Sequence, residues 1–357
     1  MRKRMLIVIC LLMAMILPSF VACNGSEKYL RFGYYPQTKV TDNAIIETLN
    51  GAAGTLPTAD DSHAWTSYKY YNEGDNTTDY MWYIDLEQSG EKYRGVYFTE
   101  YRFRDTNSKK SDFESYAWDE SQQDDNGYAT STVYWFKFEP IKWRVLEESN
   151  GESLILSERI LDSQQFCHDP TDYLAFGYID MVGRNAEDRT NNYARSEIRK
   201  WLNENFFNVA FSAEEKQRIV LSTVDNSARS TNPNYNANYQ NNGVNKNACE
   251  DTEDFVFLLS VQEVTKKAYG FKKNPYALDK RRRKNGTDYS LSQGLYVSTK
   301  NKAISKKYVG NGYWILRSPD YGNYHDVFIA VDTGAINAID VKTTQWGIVP
   351  ALRIKKS

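Results

Sequence analysis

Cysteine and histidine are scarce in this chain of 357 residues, which contains four cysteines and three histidines. None of the histidines, His63, His168 and His325, has the i, i+4 partner that a helical zinc motif requires. The patterns G-x-S-x-G, H-E-x-x-H and the phosphate-binding P-loop are absent as well. The sequence therefore predicts no catalytic residue that a motif would identify, no bound metal and no cofactor.

Long apolar runs are absent except at the start of the chain. A basic head, Arg2-Lys3-Arg4, precedes an uncharged apolar run from Met5 to Leu17, and the small residue Ala22 follows shortly after it. These are the parts of a secretory signal peptide. A transmembrane anchor is the alternative, although spanning a bilayer takes about 20 apolar residues and this run is shorter.

The segment Phe20-Val21-Ala22-Cys23 resembles a bacterial lipobox, in which the chain is cut before a cysteine that then carries lipid. Phe20 departs from that pattern, because Leu is the usual first residue. Ordinary cleavage, with Cys23 left for a disulfide, is the other interpretation. The resemblance implies an exported protein that is lipid-anchored to the bacterial cell membrane or outer surface. Stable anchoring takes more than one acyl chain, and bacterial lipoproteins as a class meet that need.

Neither sign of charge is in large excess. Removal of residues 1–22 lowers the 44 basic residues to 41 against 46 acidic ones, which gives a mature net charge of about −5. A mildly acidic chain is not expected to have nucleic acid or anionic lipid as its main partner. The one basic run, at 280–284, favours a solvated loop over a binding patch.

Beyond Cys23 the mature chain has two cysteines, Cys167 and Cys249, both in polar segments. Two thiols in an oxidising compartment can pair, so a Cys167–Cys249 disulfide is one outcome and two separate thiols the other. The stretch Cys167-His168-Asp169 contains residue types that occur in catalytic triads. Consecutive residues rarely face one another as a triad must, so a loop or a disulfide is the preferred interpretation.

The hydrophobic pattern divides the chain into four parts. Residues 1–22 are the signal peptide, and 23–29 form a linker so short that the fold lies within about 20 Å of the anchor. Residues 30–131 are rich in aromatic, β-prone segments and are predicted to pack, as a β-rich N-terminal region, on an α+β domain at 132–357. The predicted fold class is α+β, with mixed and largely antiparallel sheets and a few short helices.

Short-range signals predict several elements of the main domain. Asn150-Gly151, between two alternating apolar runs, predicts a hairpin. Ser196 is a predicted N-cap, and the stretch from Ser212 to Glu215 matches a capping box that begins a short helix.

The last third of the chain contains a predicted strand–helix junction and a hairpin. Residues 255–259 are apolar throughout and predict a buried strand. A capping box from Ser260 to Glu263 predicts a helix directly after it, and Gly270 is placed to end that helix. Gly334 occupies the left-handed position of a hairpin predicted at 327–339.

Aromatic residues make up 14% of the chain and include 27 tyrosines, so rings that stack on sugars are plentiful. Trp314, Arg317, Tyr321 and Tyr324 surround a predicted turn and form the candidate ligand-binding set, in which Arg317 would donate to a polar ligand. The other interpretation is structural, with Trp314 in the core and Arg317 bonded to loop carbonyls.

Several motifs occur in one order along the chain. They are Ile141-Lys142-Trp143-Arg144-Val145-Leu146, Leu154-Ile155-Leu156-Ser157, Ser196-x-Ile198-Arg199-x-Trp201-Leu202-Asn203, Ala210-Phe211-Ser212, Val224-Asp225-Asn226, Phe257-Leu258-Leu259-Ser260, Trp314-Ile315-Leu316-Arg317-Ser318-Pro319 and Gly347-x-x-Pro350-Ala351-Leu352. This array, over about 132–355, resembles the bacterial domain-of-unknown-function family numbered 6273. The segment at 32–38 resembles the opening often found ahead of it. Ile315 and Val349 depart from the family, which often has Trp and Arg there.

The family has no established activity, and its ending looks like the C-type-lectin-like fold. That fold includes bacterial surface ligand-binding proteins and formylglycine-generating enzymes, so the resemblance implies a C-type-lectin-like core. The enzymes of that fold use a redox cysteine pair, and the local context of Cys167 and Cys249 does not match it. The preferred function is a non-enzymatic domain that a membrane lipoprotein displays to a glycan or protein ligand. An envelope enzyme acting on cell-wall or glycan substrates, and a structural component of an envelope complex, are the alternatives.

Overall fold

The computed structural model describes residues 21–22, 28–57, 63–68, 81–102, 122–167, 190–232, 245, 247–300, 303–320, 322–341 and 343–356. Most of the predicted signal peptide, the predicted lipidation site Cys23, and the residues His168 and Tyr321 lie outside these ranges. Within them, no helix combines the length and the apolarity that crossing a bilayer would take.

Strands and short helices alternate through the described residues. The strands are β1 Val21–Ala22, β2 Lys28–Lys39, β3 Thr66–Ser67, β4 Met81–Gln88, β5 Glu91–Phe98, β6 Val133–Ser149, β7 Glu152–Ser157, β8 Asp162–Ser163, β9 Ile219–Val220, β10 Ser222–Val224, β11 Thr252–Asp254, β12 Lys284–Asn285, β13 Asn311–Gly312, β14 Trp314–Pro319, β15 Asp326–Ala330, β16 Ile336–Asp340, β17 Gly347–Ile348 and β18 Ala351–Lys355. The α-helices are α1 Asn43–Ala53, α2 Gln122–Asp125, α3 Glu197–Trp201, α4 Phe207–Ala210, α5 Ala213–Arg218, α6 Ala228–Thr231 and α7 Asp288–Ser292. A π-helical turn, Leu202–Phe206, joins α3 to α4, and 3-10 turns occupy Tyr193–Arg195, Glu263–Thr265, Lys267–Tyr269 and Lys306–Tyr308. The predicted α+β class is confirmed.

β6 is the central strand of the larger sheet, which has nine strands. β2 pairs with it antiparallel along most of its length, from Tyr29 opposite Arg144 to Lys39 opposite Phe136. The other edge of β6 pairs first with β5 and then with β7, and β18 and β9 follow beyond β7. The predicted boundary between residues 131 and 132 therefore divides segments that share one sheet.

The second sheet has five strands in the order β16-β15-β14-β17-β8, of which β14 and β17 are parallel. The predicted hairpin is confirmed as β15 and β16, with Gly334 in its turn at a φ of +79°. β14 is buried along its whole length, from Trp314 to Pro319. This sheet therefore holds the motif at 314–319 and the start of the motif at 347–352 in the protein interior.

Three of the local predictions are confirmed by backbone geometry or capping contacts. Asn150 and Gly151, with φ of 50° and 76°, form the tight turn between β6 and β7. Ser196 caps α3, because its side chain accepts a hydrogen bond from a backbone amide of the first turn. Ser212 and Glu215 form the reciprocal capping box of α5.

The strand predicted at 255–259 is wrong. The segment is largely buried but irregular, and it meets β18 through a single bridge between Phe257 and Ala351. Asn203 provides a hydrogen-bond acceptor in place of a neighbouring strand, because its Oδ1 accepts from the amides of Phe255 and Val256. An apolar run shows that a segment is buried, but it does not show which partner satisfies the backbone.

The helix predicted after residue 260 is replaced by two successive 3-10 turns. The capping box itself is present, since the Ser260 amide donates to Glu263 and the Glu263 amide donates back to the Ser260 hydroxyl. Gly270, at a φ of 82°, ends the second turn as predicted. Lys266 has extended backbone between the two turns, which prevents one continuous helix.

Pro36 and Pro140 lie inside β2 and β6. Pro140 faces Tyr34 beside one register shift, and a second shift follows Pro36. A proline has no N–H to donate, and it is therefore tolerated where the ladder is already interrupted.

A buried polar cluster ties the N-terminal region to the main domain. The Tyr35 hydroxyl donates to Asp162 Oδ2 at 2.6 Å, and Gln164 Nε2 donates to Asp162 Oδ1 at 3.1 Å. The Tyr68 hydroxyl accepts from Gln164 Nε2 at 2.9 Å and from Trp201 Nε1 at 3.1 Å. Burial raises the pKa of Asp162 despite these donors. All five side chains are buried, so the cluster holds the two regions together rather than facing a ligand.

Candidate functional site

The structure removes two members from the predicted ligand-binding set. Trp314 and Arg317 are 0% and 1% exposed, so neither side chain can contact a ligand at the surface. Trp314 packs in the main core and its Nε1 donates to the Arg282 carbonyl at 2.7 Å. The structural interpretation of both residues is therefore the one that the geometry supports.

Arg317 joins three segments of the family-like motif array. Its Nη1 donates to the Leu258 carbonyl at 2.7 Å and also bonds the Glu263 carboxylate. Its Nε donates to Asn226 Oδ1 at 3.2 Å and its Nη2 to the Asp225 carbonyl at 3.1 Å. Motifs that are distant in sequence thus converge on one buried guanidinium, which makes them determinants of the fold.

Tyr324 is partly exposed on the loop after β14, and Tyr321 lies outside the described residues. Asn191 fixes the backbone of this loop, because its Nδ2 donates to the carbonyls of Asn323 and Asp326 at 2.9 Å each. Of the predicted set, Tyr324 is the member that the structure shows near the surface.

Cys167 and Cys249, both within the described residues, are two thiols in the structure rather than a disulfide. The Cys249 sulfur lies beside the backbone amides of Tyr193 and Ala194, whereas the amide of Cys167 donates to the Val341 carbonyl at 3.2 Å. Burial raises the pKa of the Cys249 thiol, which disfavours the reactive thiolate.

The basic run at 280–284 is only partly solvated, which corrects the prediction of a solvated loop. Arg282 and Lys284 are 0% and 2% exposed, while Lys280 is exposed and Arg281 and Arg283 are partly exposed. Lys284 Nζ is held inside by the Ser157 carbonyl at 2.9 Å. The run therefore contains both anchoring residues and residues that reach the surface.

Arg282 organises the segment around it. Its guanidinium lies within hydrogen-bonding distance of six carbonyl oxygens, those of Val264, Lys272, Asn274, Pro275, Ala277 and Gly334. Burial lowers the pKa of Arg282, and the neighbouring Asp279 acts in the opposite direction. An arginine has a rigid fork of donors, which suits it to holding several carbonyls in fixed positions.

Asp279, 2% exposed, is the second anchor of this segment. Its carboxylate accepts from the backbone amides of Lys272 and Arg281, each at 2.8 Å, and lies 3.5 Å from Arg282 Nη1. Its own amide donates to the Thr333 carbonyl at 3.3 Å. The negative charge of Asp279 is thus used inside the fold, where it fixes the backbone that carries the neighbouring cations.

A cavity of about 510 Å³ is formed by this segment and the 3-10 turn Lys306–Tyr308. We call it the cationic pocket. The described residues that line it are Gly270, Lys272, Leu278, Asp279, Lys280, Arg281, Arg283, Lys307, Tyr308 and Thr333. Five of these side chains are basic, and Asp279 is the one carboxylate among them.

Tyr308 supports two of the cations. Its ring is 3% exposed, with the Arg283 guanidinium carbon 5.6 Å and Lys307 Nζ 4.9 Å from the ring centroid. Cation–π attraction at such distances holds a positive charge without neutralising it. No salt bridge to a described residue involves Lys280, Arg283 or Lys307.

The positive charge is concentrated around the cationic pocket. Residues 270–284 contain seven basic and one acidic side chain, and residues 303–310 contain two basic and no acidic ones. Guanidinium and ammonium groups bind phosphate, sulfate and carboxylate through charge-assisted hydrogen bonds. The volume lies within the roughly 300–1,000 Å³ of small-ligand sites. In the part of the chain that the structure describes, no group of three or more His, Cys, Asp or Glu side chains is placed to hold a metal.

The fold and the site define an α+β protein with a cationic surface pocket and a buried motif array. The chain belongs to the family described as a domain of unknown function (DUF6273), whose match covers residues 150–356. The match begins directly after β6, so the N-terminal strands that share the larger sheet precede the family region. Neither the curated proteins nor the solved structures gave a significant match to this chain.

Proposed function

We propose that the protein is an exported, lipid-anchored binding protein without catalytic activity, and that the cationic pocket holds anionic groups of its ligand. The observation that carries this proposal is the pocket lining, in which five basic side chains meet one carboxylate that is already used internally. The segment Phe20-Val21-Ala22-Cys23 supports export and anchoring. The ligand class is a glycan or a protein surface that bears sulfate, phosphate or carboxylate groups.

The pocket favours binding over hydrolysis of a glycan. Enzymes that cleave glycosidic bonds with protein acids use two carboxyl groups that flank the bond. The described lining offers Asp279 alone, buried and bonded to Lys272 and Arg281 backbone amides. Five cations around one cavity instead provide an electrostatic attraction that increases with the charge of the ligand.

A charge reversal tests the pocket. We expect Lys280→Glu to weaken binding of dextran sulfate by about 2 kcal/mol, roughly thirtyfold, since each cation near an anionic surface contributes about 1 kcal/mol. Fluorescence anisotropy of labelled dextran sulfate measures the affinity, with neutral dextran as the uncharged probe.

Lys200 provides a matched control for this reversal, because it is exposed on α3 and does not line the pocket. Lys200→Glu changes the net charge of the protein by the same amount and is expected to leave the affinity nearly unchanged. Equal losses in both variants would show that net charge, rather than the pocket, determines binding.

Lipidation is tested separately. In bacteria that express the full chain we expect radiolabelled palmitate to be incorporated, and Cys23→Ala to abolish the label and to move the protein out of the membrane fraction. Labelling that persists in the variant would refute Cys23 as the site.

A further inference from the structure

Three exposed apolar side chains belong to the chain segments that build the cationic pocket. Six large apolar side chains of the described residues are exposed, and three of them, Tyr276, Leu278 and Ile304, belong to the segments that build the pocket. Their exposed fractions are 54%, 50% and 77%. We call these three residues the apolar rim. Exposed leucine and isoleucine beside lysine and arginine are the combination by which proteins bind at a lipid surface.

Contacts at the end of β6 link the start of β2 with the residue that precedes the pocket. Lys28, the first residue of β2, forms an ion pair with Glu148 near the end of β6. The adjacent residue, Glu147, accepts a hydrogen bond from the Tyr269 hydroxyl at 3.1 Å. Tyr269 directly precedes Gly270, which lines the pocket. Because consecutive strand residues face opposite sides of a sheet, these contacts connect the start of β2 with the segment before the pocket through the end of β6.

The linker limits how far this end of the molecule can move from an anchor on Cys23. Four residues lie between Cys23 and Lys28, so five steps of at most about 3.3–3.6 Å span roughly 17 Å. The tether would therefore keep the start of β2 within that distance of an anchor at the bilayer surface. The charge of the two pocket segments is opposite to that of an anionic bilayer surface.

We infer that the cationic pocket and the apolar rim together form a docking surface for the anionic bilayer that carries the lipid anchor. Phosphate groups of the lipids contact Lys280, Arg283 and Lys307, while Leu278 and Ile304 enter the interfacial layer. This inference rests on the proposed anion binding and adds lipid phosphate to the glycan and protein groups that the pocket is proposed to hold. Docking would hold the domain in one orientation at the surface and add a second attachment to the acyl chains.

The experiment uses the mature chain from residue 23 with Cys23→Ser, so that no acyl chain contributes. Of the described elements it lacks only β1. Co-sedimentation with vesicles of phosphatidylcholine containing phosphatidylglycerol is compared with vesicles of phosphatidylcholine alone. We expect binding to the anionic vesicles only, and we expect Ile304→Ser, the rim variant, to weaken it about tenfold.

Leu221 gives a matched control, because like Ile304 it is an exposed aliphatic residue that does not line the pocket. Leu221→Ser is expected to bind anionic vesicles as the parent does. Dextran sulfate, which has charge but no apolar phase, is expected to bind the rim variant Ile304→Ser as tightly as the parent, since Ile304 does not line the pocket.

The outcomes separate the two proposals. Loss of vesicle binding with retained dextran sulfate binding in the rim variant supports membrane docking. Dextran sulfate binding without vesicle binding overturns membrane docking and leaves anion binding in place, with an acidic glycan as the ligand. Binding of neither probe overturns both, and equal vesicle affinities of the rim variant and Leu221→Ser overturn the role of the apolar rim.

Discussion

Replacement of Arg317 by alanine is expected to destabilise the protein by about 3–5 kcal/mol, because the partner of a buried charge is lost and several acceptors are left without donors. The carbonyls of Asp225 and Leu258 lose this donor, and the Glu263 carboxylate loses its ion pair while it keeps the hydrogen bond from the Ser260 amide. Arg317→Lys is expected to recover little of the loss, since a single ammonium group cannot reproduce the planar fork. Urea unfolding followed by tryptophan fluorescence measures both variants.

Arg283 is a suitable comparison, because it is partly exposed and contacts the Tyr308 ring rather than a carboxylate. Arg283→Ala is expected to change the free energy of unfolding by less than about 1 kcal/mol. An Arg317→Ala protein that unfolds like the parent but no longer binds its ligand would restore Arg317 to the binding site.

Gly334→Ala is expected to destabilise the protein by about 2–5 kcal/mol, from strain at positive φ together with overpacking. An added Cβ would lie 2.0 Å from the Asp279 carbonyl oxygen, and this neighbour is backbone that cannot rotate away. Asp279 fixes the segment that carries the pocket cations, so binding of dextran sulfate is expected to weaken as well. Urea unfolding and anisotropy measure the two effects.

Gly90 provides a control in which a substitution causes backbone strain but no steric clash. It has the same φ of +79°, in the turn between β4 and β5, but nothing lies within 4 Å of an added Cβ. Gly90→Ala should therefore cost about 1–2 kcal/mol and leave anion binding unchanged. Equal destabilisation by the two substitutions would mean that the hairpin turn moves freely away from Asp279.

Local signals in the sequence predicted turns and caps well, because their causes lie within four or five residues. Asn150-Gly151 supplies two positive φ angles by itself, and Ser212 finds its capping partner Glu215 one turn away. The strand prediction at 255–259 was wrong because the partner of this segment is distant in sequence. Its amides bond a side chain, Asn203, that is some fifty residues distant in sequence.

The cationic pocket could not be predicted from the net charge of the chain, because a total hides a local excess of basic residues. The mature chain is mildly acidic, and this balance argued against anionic lipid as a partner. Electrostatic interactions at physiological ionic strength are screened beyond about 8 Å, so a ligand responds to the local surface and not to the total. The basic run at 280–284 was the available signal. The pocket also includes the turn Lys306–Tyr308, and the fold brings this turn beside the basic run.

The motif array identified the family correctly, yet the residues that carry it are mainly structural. Arg317 was a candidate ligand contact, with a structural role as the alternative, because an arginine between aromatic residues suits polar ligands. Burial cannot be read from that pattern, whereas the partners at Asp225 and Leu258 are parts of the same array. Motifs that recur in one order can therefore record how a core is closed, while the surface that meets a ligand is built from less distinctive sequence.

The pairing of β2 with β6 determines how the domain would respond to mechanical force. A pull on the proposed anchor enters the fold at Lys28 and is directed along β2, whose contacts with β6 extend from Tyr29 to Lys39. Strands loaded along their axis must break many hydrogen bonds at once, whereas strands that are peeled apart break them singly. The attachment point therefore has the geometry of a shear joint, which would let the domain withstand drag at the cell surface without unravelling from its tethered end.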